Sequence, residues 1–344
     1  MPSLKVTVLM SVYNAEEYLT VAIDSILQQS FADFEFLIID DGSTDNSVRL
    51  IQSYADPRIR LIRNDRNLGL AASLNMGLRL AKGDYIARMD ADDISRPERL
   101  AHQVRFLNSH PAVGVCGSWV RLFPGLNNYV WKFHRNLQDI RCRQFYKVGV
   151  AHPAVMLRKK FFADNGLLYD PAYPFSQDYE LWGRAIRYME FANIQKVLLD
   201  YRIGPGQACS RNRAEQAAEV APLRLQRMQE LGVEPTPDQQ LLHEAIMNDT
   251  LPTDQESLAR AETWLLRIDA ANREAAVYPA LLFTRHMCYL WFEICCRSFD
   301  AGVCTWGRYR RSPLLQVAPY SVLQQMHFAA GWLARRLKRK RATL

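Results

Sequence analysis

Paired cysteines are missing from this sequence. Its seven stand at 116, 142, 209, 288, 295, 296 and 304, an odd number with no C-x-x-C spacing. That argues against a disulfide framework or a zinc site and for a reducing, cytoplasmic setting. Long apolar runs are missing too. No window reaches about 18 uncharged apolar residues, and the nearest stretch, 275–296, is interrupted by Arg285, His286 and Glu293. No transmembrane helix is therefore expected. The opening Met1-Pro2-Ser3-Leu4-Lys5 passes straight into a strand-like pattern, so no signal peptide is expected. Acid is absent from residues 301–344, which hold nine Lys and Arg, so the first 300 residues sum to −2 within a chain of +7. The basicity belongs to the tail, which does not fit a nucleic-acid-binding domain with a basic face throughout. Internal repeats and long low-complexity segments are absent as well.

What is present suffices for a sizeable core: 344 residues, 49% of them hydrophobic, with room for one large or two modest domains. Residues 5–12 are a β-branched apolar run, and 15–29 carry Tyr18, Leu19, Ala22, Ile23, Ile26 and Leu27 at helical spacing. Strands follow at 34–39, at 59–63 and around Tyr85, with helices at 45–55 and 70–81. Four alternations of strand and helix predict parallel strands joined by right-handed crossovers, a doubly wound α/β fold. Beyond it the pattern predicts a helix at 96–108, strands at 113–122 and 150–158, and a turn at 124–128. A helix at 178–189 and a strand at 196–202 come next. Strand signals stop after Gly204-Pro205-Gly206, and the remainder reads as helices with Pro and Gly breaks. Two domains are expected, an α/β domain over 1–205 and a helical region over 206–344.

Chemistry concentrates in Gly83-Asp84-Tyr85-Ile86-Ala87-Arg88-Met89-Asp90-Ala91-Asp92-Asp93, a short buried strand ending in three carboxylates. Acids packed this closely repel, unless a cation or backbone amides and water absorb their charge. Mg²⁺ and Mn²⁺ prefer such oxygen ligands, and the carboxyl ends of strands are where open α/β sheets bind ligands. The same acids also read as a solvated turn capping the next helix, with Asp93 or Ser95 as N-cap before Pro97. A second group, Asp40-Asp41-Gly42-Ser43-Thr44-Asp45, closes a strand and opens a helix. A carboxylate there could accept a hydrogen bond from a ring N–H of a base, or only complement the helix dipole, with Ser43 or Thr44 as cap. Asp40 and Asp41 point to opposite sides of the chain, so both readings stand. A third carboxylate, Asp178, opens a helix whose Leu181, Trp182 and Ala185 face inward. It reads either as a helix cap or as a base aimed into a cleft.

These elements, in this order and spacing, resemble the family-2 glycosyltransferases of the GT-A fold. The matching text begins with residues 6–14, Glu16 and Tyr18, and continues through Leu37-Ile38-Ile39-Asp40-Asp41-Gly42-Ser43-Thr44-Asp45, Asn67-Leu68-Gly69 and Asn75-Met76-Gly77. Residues 81–93, Arg99-Leu100, Gln103, 114–118, His152-Pro153-Ala154-Val155-Met156 and the Asp178 segment complete it, over residues 4–204. The resemblance implies a GT-A type doubly wound mixed sheet, mostly parallel and flanked by helices. It implies transfer of a sugar, with inversion, from a nucleotide diphosphate sugar to an acceptor hydroxyl. Ser11 and Asp41 match positions lining the nucleoside pocket, Asp41 as the uracil contact. Asp90, Asp92 and Asp93 match the D-x-D region that binds ribose and the metal–diphosphate. Mn²⁺ or Mg²⁺ falls to Asp92 or Asp93, with no choice between them. Asp178 matches the general base.

Two departures stand out: Gln177 replaces a frequent Glu beside the base, and Ile203-Gly204-Pro205 stands where many members carry a His. His152 falls at the edge of the implied acceptor pocket. The expected activity is transfer from a UDP-sugar to a glycan or polyprenyl-linked glycan in cell-surface polysaccharide synthesis. A GDP- or dTDP-sugar donor and a catalytically silent nucleotide-binding scaffold are the alternatives. A sugar-nucleotide pyrophosphorylase is disfavoured, because Ser11-Val12-Tyr13-Asn14-Ala15 has neither the glycine nor the basic residue its loop requires. In the tail, Val322, Met326, Ala329, Ala330, Leu333 and Leu337 recur at helical spacing before six cations between Arg335 and Arg341. A basic amphipathic helix of this kind suits the cytoplasmic surface of a membrane.

Overall fold

The computed structural model describes residues 4–124, 129–204, 212–300, 303 and 305–317. The basic tail helix expected after residue 320 lies outside them, as does most of the turn expected at 124–128. Two compact units divide at Val220 and Ala221.

The first unit is built on a mixed sheet. Its strands are β1 (Val6–Val12), β2 (Phe34–Asp40), β3 (Ile59–Arg63), β4 (Tyr85–Asp90), β5 (Ile94–Ser95), β6 (Val113–Phe123), β7 (Val130–Trp131), β8 (Met156–Arg158) and β9 (Glu190–Arg202). They lie in the order β3-β2-β1-β4-β8-β6-β9-β5, with β7 on β6. The pairs among β3, β2, β1 and β4 are parallel, as four strand–helix alternations require. β8 then runs antiparallel between β4 and β6. Because the chain leaves β1 toward β2 and returns to β4 on its other side, the topology switches between β1 and β4. The carboxyl ends of the strands at such a switch point are where open α/β sheets form their ligand crevice.

Residue alternation shows why this sheet is covered on both faces. Val6, Val8, Met10 and Val12 join one apolar layer with Phe34, Phe36, Ile38, Tyr85, Ala87 and Met89. Leu9, Leu37, Ile39 and Ile86 join the other. A period of two sends neighbours to opposite faces, so β2 is buried along its whole length. Helices α1 (Leu19–Leu27) and α4 (Arg99–Ser109) supply the first layer through Leu19, Ala22, Ile23, Ile26, Leu100, Val104 and Leu107. Helices α3 (Leu70–Leu80) and α7 (Gln177–Ala185) supply the second through Ala71, Leu74, Leu78, Leu181, Trp182 and Ala185. The shorter α2 (Ser47–Gln52), α5 (Leu137–Gln144) and α6 (Lys159–Asp164) complete the unit, with the first residues of α8 (Arg213–Glu230).

Several boundaries differ from the sequence reading. The strand expected at 150–158 shrinks to β8, because His152-Pro153-Ala154 forms a 3₁₀ turn. The helix expected at 178–189 ends at Ala185, and β9 begins at Glu190, pairing with β6 along its length. Neither Asp93 nor Ser95 caps α4: Ser95 lies in β5, paired with Leu199, and Glu98 is the N-cap. Nor do Ser43 and Thr44 cap α2, which starts after Asn46.

The second unit is helical in every described element. It holds α9 (Pro237–Met247), α10 (Gln255–Ala275), α11 (Ala280–Asp300), α12 (Trp306–Arg311) and α13 (Pro313–Val317). Leu258, Trp264 and Leu265 of α10 are buried, as are Phe283, Met287 and Trp291 of α11. No helix among the described residues is long and apolar enough to cross a membrane.

Candidate active site

Strand register and alternation bring Ser11, Asp41 and Asp90 to one face of the sheet at its carboxyl edge. Ser11, next to last in β1, lies opposite Asp90, the last residue of β4. Alternation places Ser11 on the face of Leu9, and Asp90 and Arg88 on that of Ile86. Asp41, two residues beyond Ile39, follows the same face, whereas Asp40 falls on the opposite one. α7 covers this same side, and Asp178 lies in its first turn.

The loops around the crevice are tied to each other. Asn14, at φ 48°, donates its N–H to Ser43 Oγ and accepts from Thr44 N–H at 2.8 Å. Glu16 accepts from the backbone and side chain of Asn46. Gly42 adopts φ 76°, and a Cβ there would meet the Arg66 carbonyl carbon at 2.6 Å. Only glycine lets these two loops approach so closely. Asp41 is 2% exposed. Its carboxylate accepts from Asn64 Nδ2 (2.7 Å), Leu68 N (3.0 Å) and Gly69 N (2.9 Å). Three of about four lone-pair directions are thus spent on the protein's own loop.

The acidic turn after β4 is braced from β9. Arg202 donates its backbone N–H to Asp93 Oδ1 and its Nε–H to the Asp92 carbonyl, both at 2.8 Å. Its guanidinium sits 3.8 Å from the Tyr18 ring centroid and 4.6 Å from that of Phe123. Arg88 forms a two-pronged ion pair with Asp90 at 2.5 Å on both arms. Carboxylate oxygens of Asp90, Asp92 and Asp93 lie within 4.8 Å of one another. Asp93 is 1% exposed, and its Oδ2 is buried without a hydrogen-bond partner. Burial first, then the charges of Asp90 and Asp92, push its pKa well above the aspartate norm. A divalent cation would relieve both the repulsion and the orphaned oxygen, so this hard, all-oxygen donor set fits Mg²⁺ or Mn²⁺.

Asp178 is half-buried and accepts from Tyr179 N–H at 2.7 Å. Burial raises its pKa, opposed by that N–H and by the Arg88 charge. His152 is buried. Its Nε2 is bonded to Tyr169 Oη at 2.9 Å, and its ring packs edge-on against Trp182. Burial and the Arg88 charge hold its pKa well below the usual histidine range, so the ring is neutral. Sequence reasoning quoted Arg88 without giving it a role. A cation two residues before an acid on a strand shares its face, and that spacing was the available signal.

A separate cavity of about 420 Å³ lies at the amino edge of the sheet, among Lys5, Lys82, Asp84, Arg158, Lys159 and Lys160. Most of its cations are engaged: Lys5 pairs with Asp84, Lys160 with Asp164, and Lys159 donates to the Ala81 carbonyl.

The glycosyl transferase family 2 profile matches residues 7–166. An uncharacterized glycosyltransferase of Methanocaldococcus jannaschii is 35% identical over 206 residues, spanning 58% of this chain and 70% of that protein. The chain belongs to glycosyl transferase family 2.

This family-2 glycosyltransferase is also 30% identical over 179 residues to the UDP-Glc:alpha-D-GlcNAc-diphosphoundecaprenol beta-1,3-glucosyltransferase WfgD of Escherichia coli, covering 52% of its own length and 68% of WfgD. Among solved structures, S. aureus TarS 1–349 in complex with UDP-GlcNAc matches with a TM-score of 0.59 at 17% identity, over 87% of this chain and 92% of that one. The mannosyltransferase PcManGT of Pyrobaculum calidifontis, in complex with GDP-Man and Mn²⁺, matches at 0.51 and 17% identity, over 91% and 85%. At these identities the two structures speak for the GT-A fold.

Proposed function

We propose that this glycosyltransferase moves a sugar, with inversion, from a UDP-sugar to a hydroxyl of a glycan or lipid-linked glycan in cell-surface polysaccharide synthesis. The observation that carries the reading is the buried, unpartnered Oδ2 of Asp93 beside the oxygens of Asp90 and Asp92. It favours Asp93, with Asp92 beside it, as metal ligand. Asp90, steered by Arg88 and opposite Ser11, takes the ribose and diphosphate side. Ser11 and Asp41 line the nucleoside pocket, with one lone-pair direction of Asp41 left for a base N–H. A bound Mn²⁺ or Mg²⁺ supplies Lewis-acid stabilisation of charge on the departing diphosphate.

Asp178 accepts the proton of the acceptor hydroxyl while that oxygen bonds to the anomeric carbon and the nucleoside diphosphate leaves. One inversion needs one base and no protein nucleophile. The raised pKa of Asp178 suits that task, because proton transfer improves as the base approaches working pH. The UDP and diphosphoundecaprenol in the names of TarS and WfgD ligands support donor and acceptor class. A GDP-sugar is the second reading, supported by PcManGT and by how little of the Asp41 carboxylate is left to choose a base. The acceptor class also suits a peripheral position on the cytoplasmic face of a membrane, held by the basic tail.

Two experiments test this. In a screen of nucleotide sugars with and without Mn²⁺, a UDP-sugar should raise the melting temperature in a Mn²⁺-dependent way, as a ligand of the native state must. No shift with any nucleotide sugar overturns the reading, and a shift with GDP-sugars alone selects the second one. Deleting 334–344 should release the protein from anionic liposomes in a sedimentation assay, and undiminished co-sedimentation refutes the membrane role.

A further inference from the structure

A base is useful only where it is held, and the segment that delivers Asp178 is held from a distant helix. Ser176 is the N-cap of α7, yet its side chain makes no capping bond. Its Oγ donates instead to Glu219 Oε2 at 2.6 Å. The Phe175 N–H donates to the same carboxylate, 3.1 Å from Oε2 and 3.4 Å from Oε1. One turn earlier on α8, Gln216 Nε2 donates to the Phe175 carbonyl at 2.8 Å. Residues three apart share a helix face, so Gln216 and Glu219 grip both backbone groups of Phe175 and the hydroxyl of Ser176. Ser176 is 1% exposed, so its end of the clamp is out of water, and hydrogen bonds to a carboxylate are about twice as strong as neutral ones.

Asp178 follows two residues later. Its immediate neighbour, Gln177, contributes no anchoring bond through its side-chain Oε1, which is buried without a partner. The carboxylate serving this segment therefore comes from α8, 43 residues beyond Ser176. We infer that Glu219 is a positioning residue for Asp178, clamping 175–176 so that the base meets the acceptor hydroxyl in line with the donor. The inference rests on the reading of Asp178 as the base.

The test uses the full chain and measures kcat, donor KM and acceptor KM for Glu219→Ala, Glu219→Gln, Ser176→Ala and the Ser176→Ala/Glu219→Ala pair. Asp178→Asn serves as reference, and Glu215→Ala, at an exposed site on the same helix, as control. Glu219→Ala should lower kcat by about 10- to 100-fold, the cost of a base displaced by an ångström or less, with donor KM within about twofold. Glu219→Gln keeps one acceptor oxygen and should recover part of the loss. The double variant should be no worse than Glu219→Ala, because the Ser176–Glu219 bond that Ser176→Ala breaks is already lost there. Amide exchange at Phe175 should accelerate in Glu219→Ala while the melting temperature holds. The inference is overturned if kcat stays within about twofold of wild type, if the two substitutions multiply independently, or if donor affinity and melting temperature fall together with kcat. Active Asp178→Asn sinks the base reading itself, whereas inactive Asp178→Asn with unimpaired Glu219→Ala sinks only the clamp.

Discussion

The two edges of the sheet are made by the same strands and treated in opposite ways. At the amino edge, where β4 starts with Tyr85, charged groups are engaged. Arg158 donates to the carbonyls of Val113, Leu107 and His110 and to Tyr85 Oη, and it lies over the rings of Tyr85 and Phe161. At the carboxyl edge, where β4 ends in Asp90, charge is left over. Asp40 Oδ1 and Asp93 Oδ2 are buried without partners, and burial with the charges of Asp90 and Asp92 pushes the Asp93 pKa well above the aspartate norm. Buried polar atoms without partners destabilise a fold, so a protein retains them where something else supplies the partner. One edge engages its charged groups within the fold, and the other leaves buried carboxylate oxygens without partners.

The sharpest way to break that contrast is at the chemistry. Asp178→Asn should lower kcat by about 10²- to 10⁴-fold while donor affinity by calorimetry stays unchanged. For the wild type, a base must be deprotonated to act and this pKa is raised. The acid limb of the kcat profile should therefore lie above the pH at which an ordinary aspartate titrates, with activity lost as pH falls through it. Next comes the opposite edge: Arg158→Met should destabilise folding by about 1–2 kcal/mol, since it strands the part-buried carbonyls of Val113 and Leu107, and the readout is urea denaturation. Turnover of the folded fraction should not change. The smallest effect has the opposite sign. Asp93→Asn removes a repelled buried charge and should raise the melting temperature without metal by about 2–4 °C, roughly 1 kcal/mol for a unit of this size. The same variant should lose the further rise that Mn²⁺ and donor give the wild type. A fall without metal would mean that Asp93 is already satisfied and the edges are alike.

Much of this arrangement could be read from the chain, and the legible parts are local. The alternation of strands with helices, the doubly wound sheet and the acid run 90–93 all declare themselves within windows of ten to twenty residues. The features that were missed join residues far apart. Arg202 reaches Asp93 across 109 positions, and Glu219 reaches Ser176 across 43. No periodicity encodes either bond. Asp41 was legible as a crevice residue, but its three N–H partners come from Asn64, Leu68 and Gly69, in a loop whose path only tertiary packing decides. β9 was seen over half its length because Asn193, a weak strand former, interrupts its first half. There the Asn193 side chain donates to the carbonyls of His134 and Gly149, bonds that leave no trace in sequence.

The pairing of Ser11 with Asp90 ties the crevice to the interior. Sliding one strand by a single position would exchange the two apolar layers wholesale, so the offset between hydroxyl and acid is guarded by every buried residue along both strands. The surrounding loops can therefore change in sequence and length while the offset between Ser11 and Asp90 stays fixed.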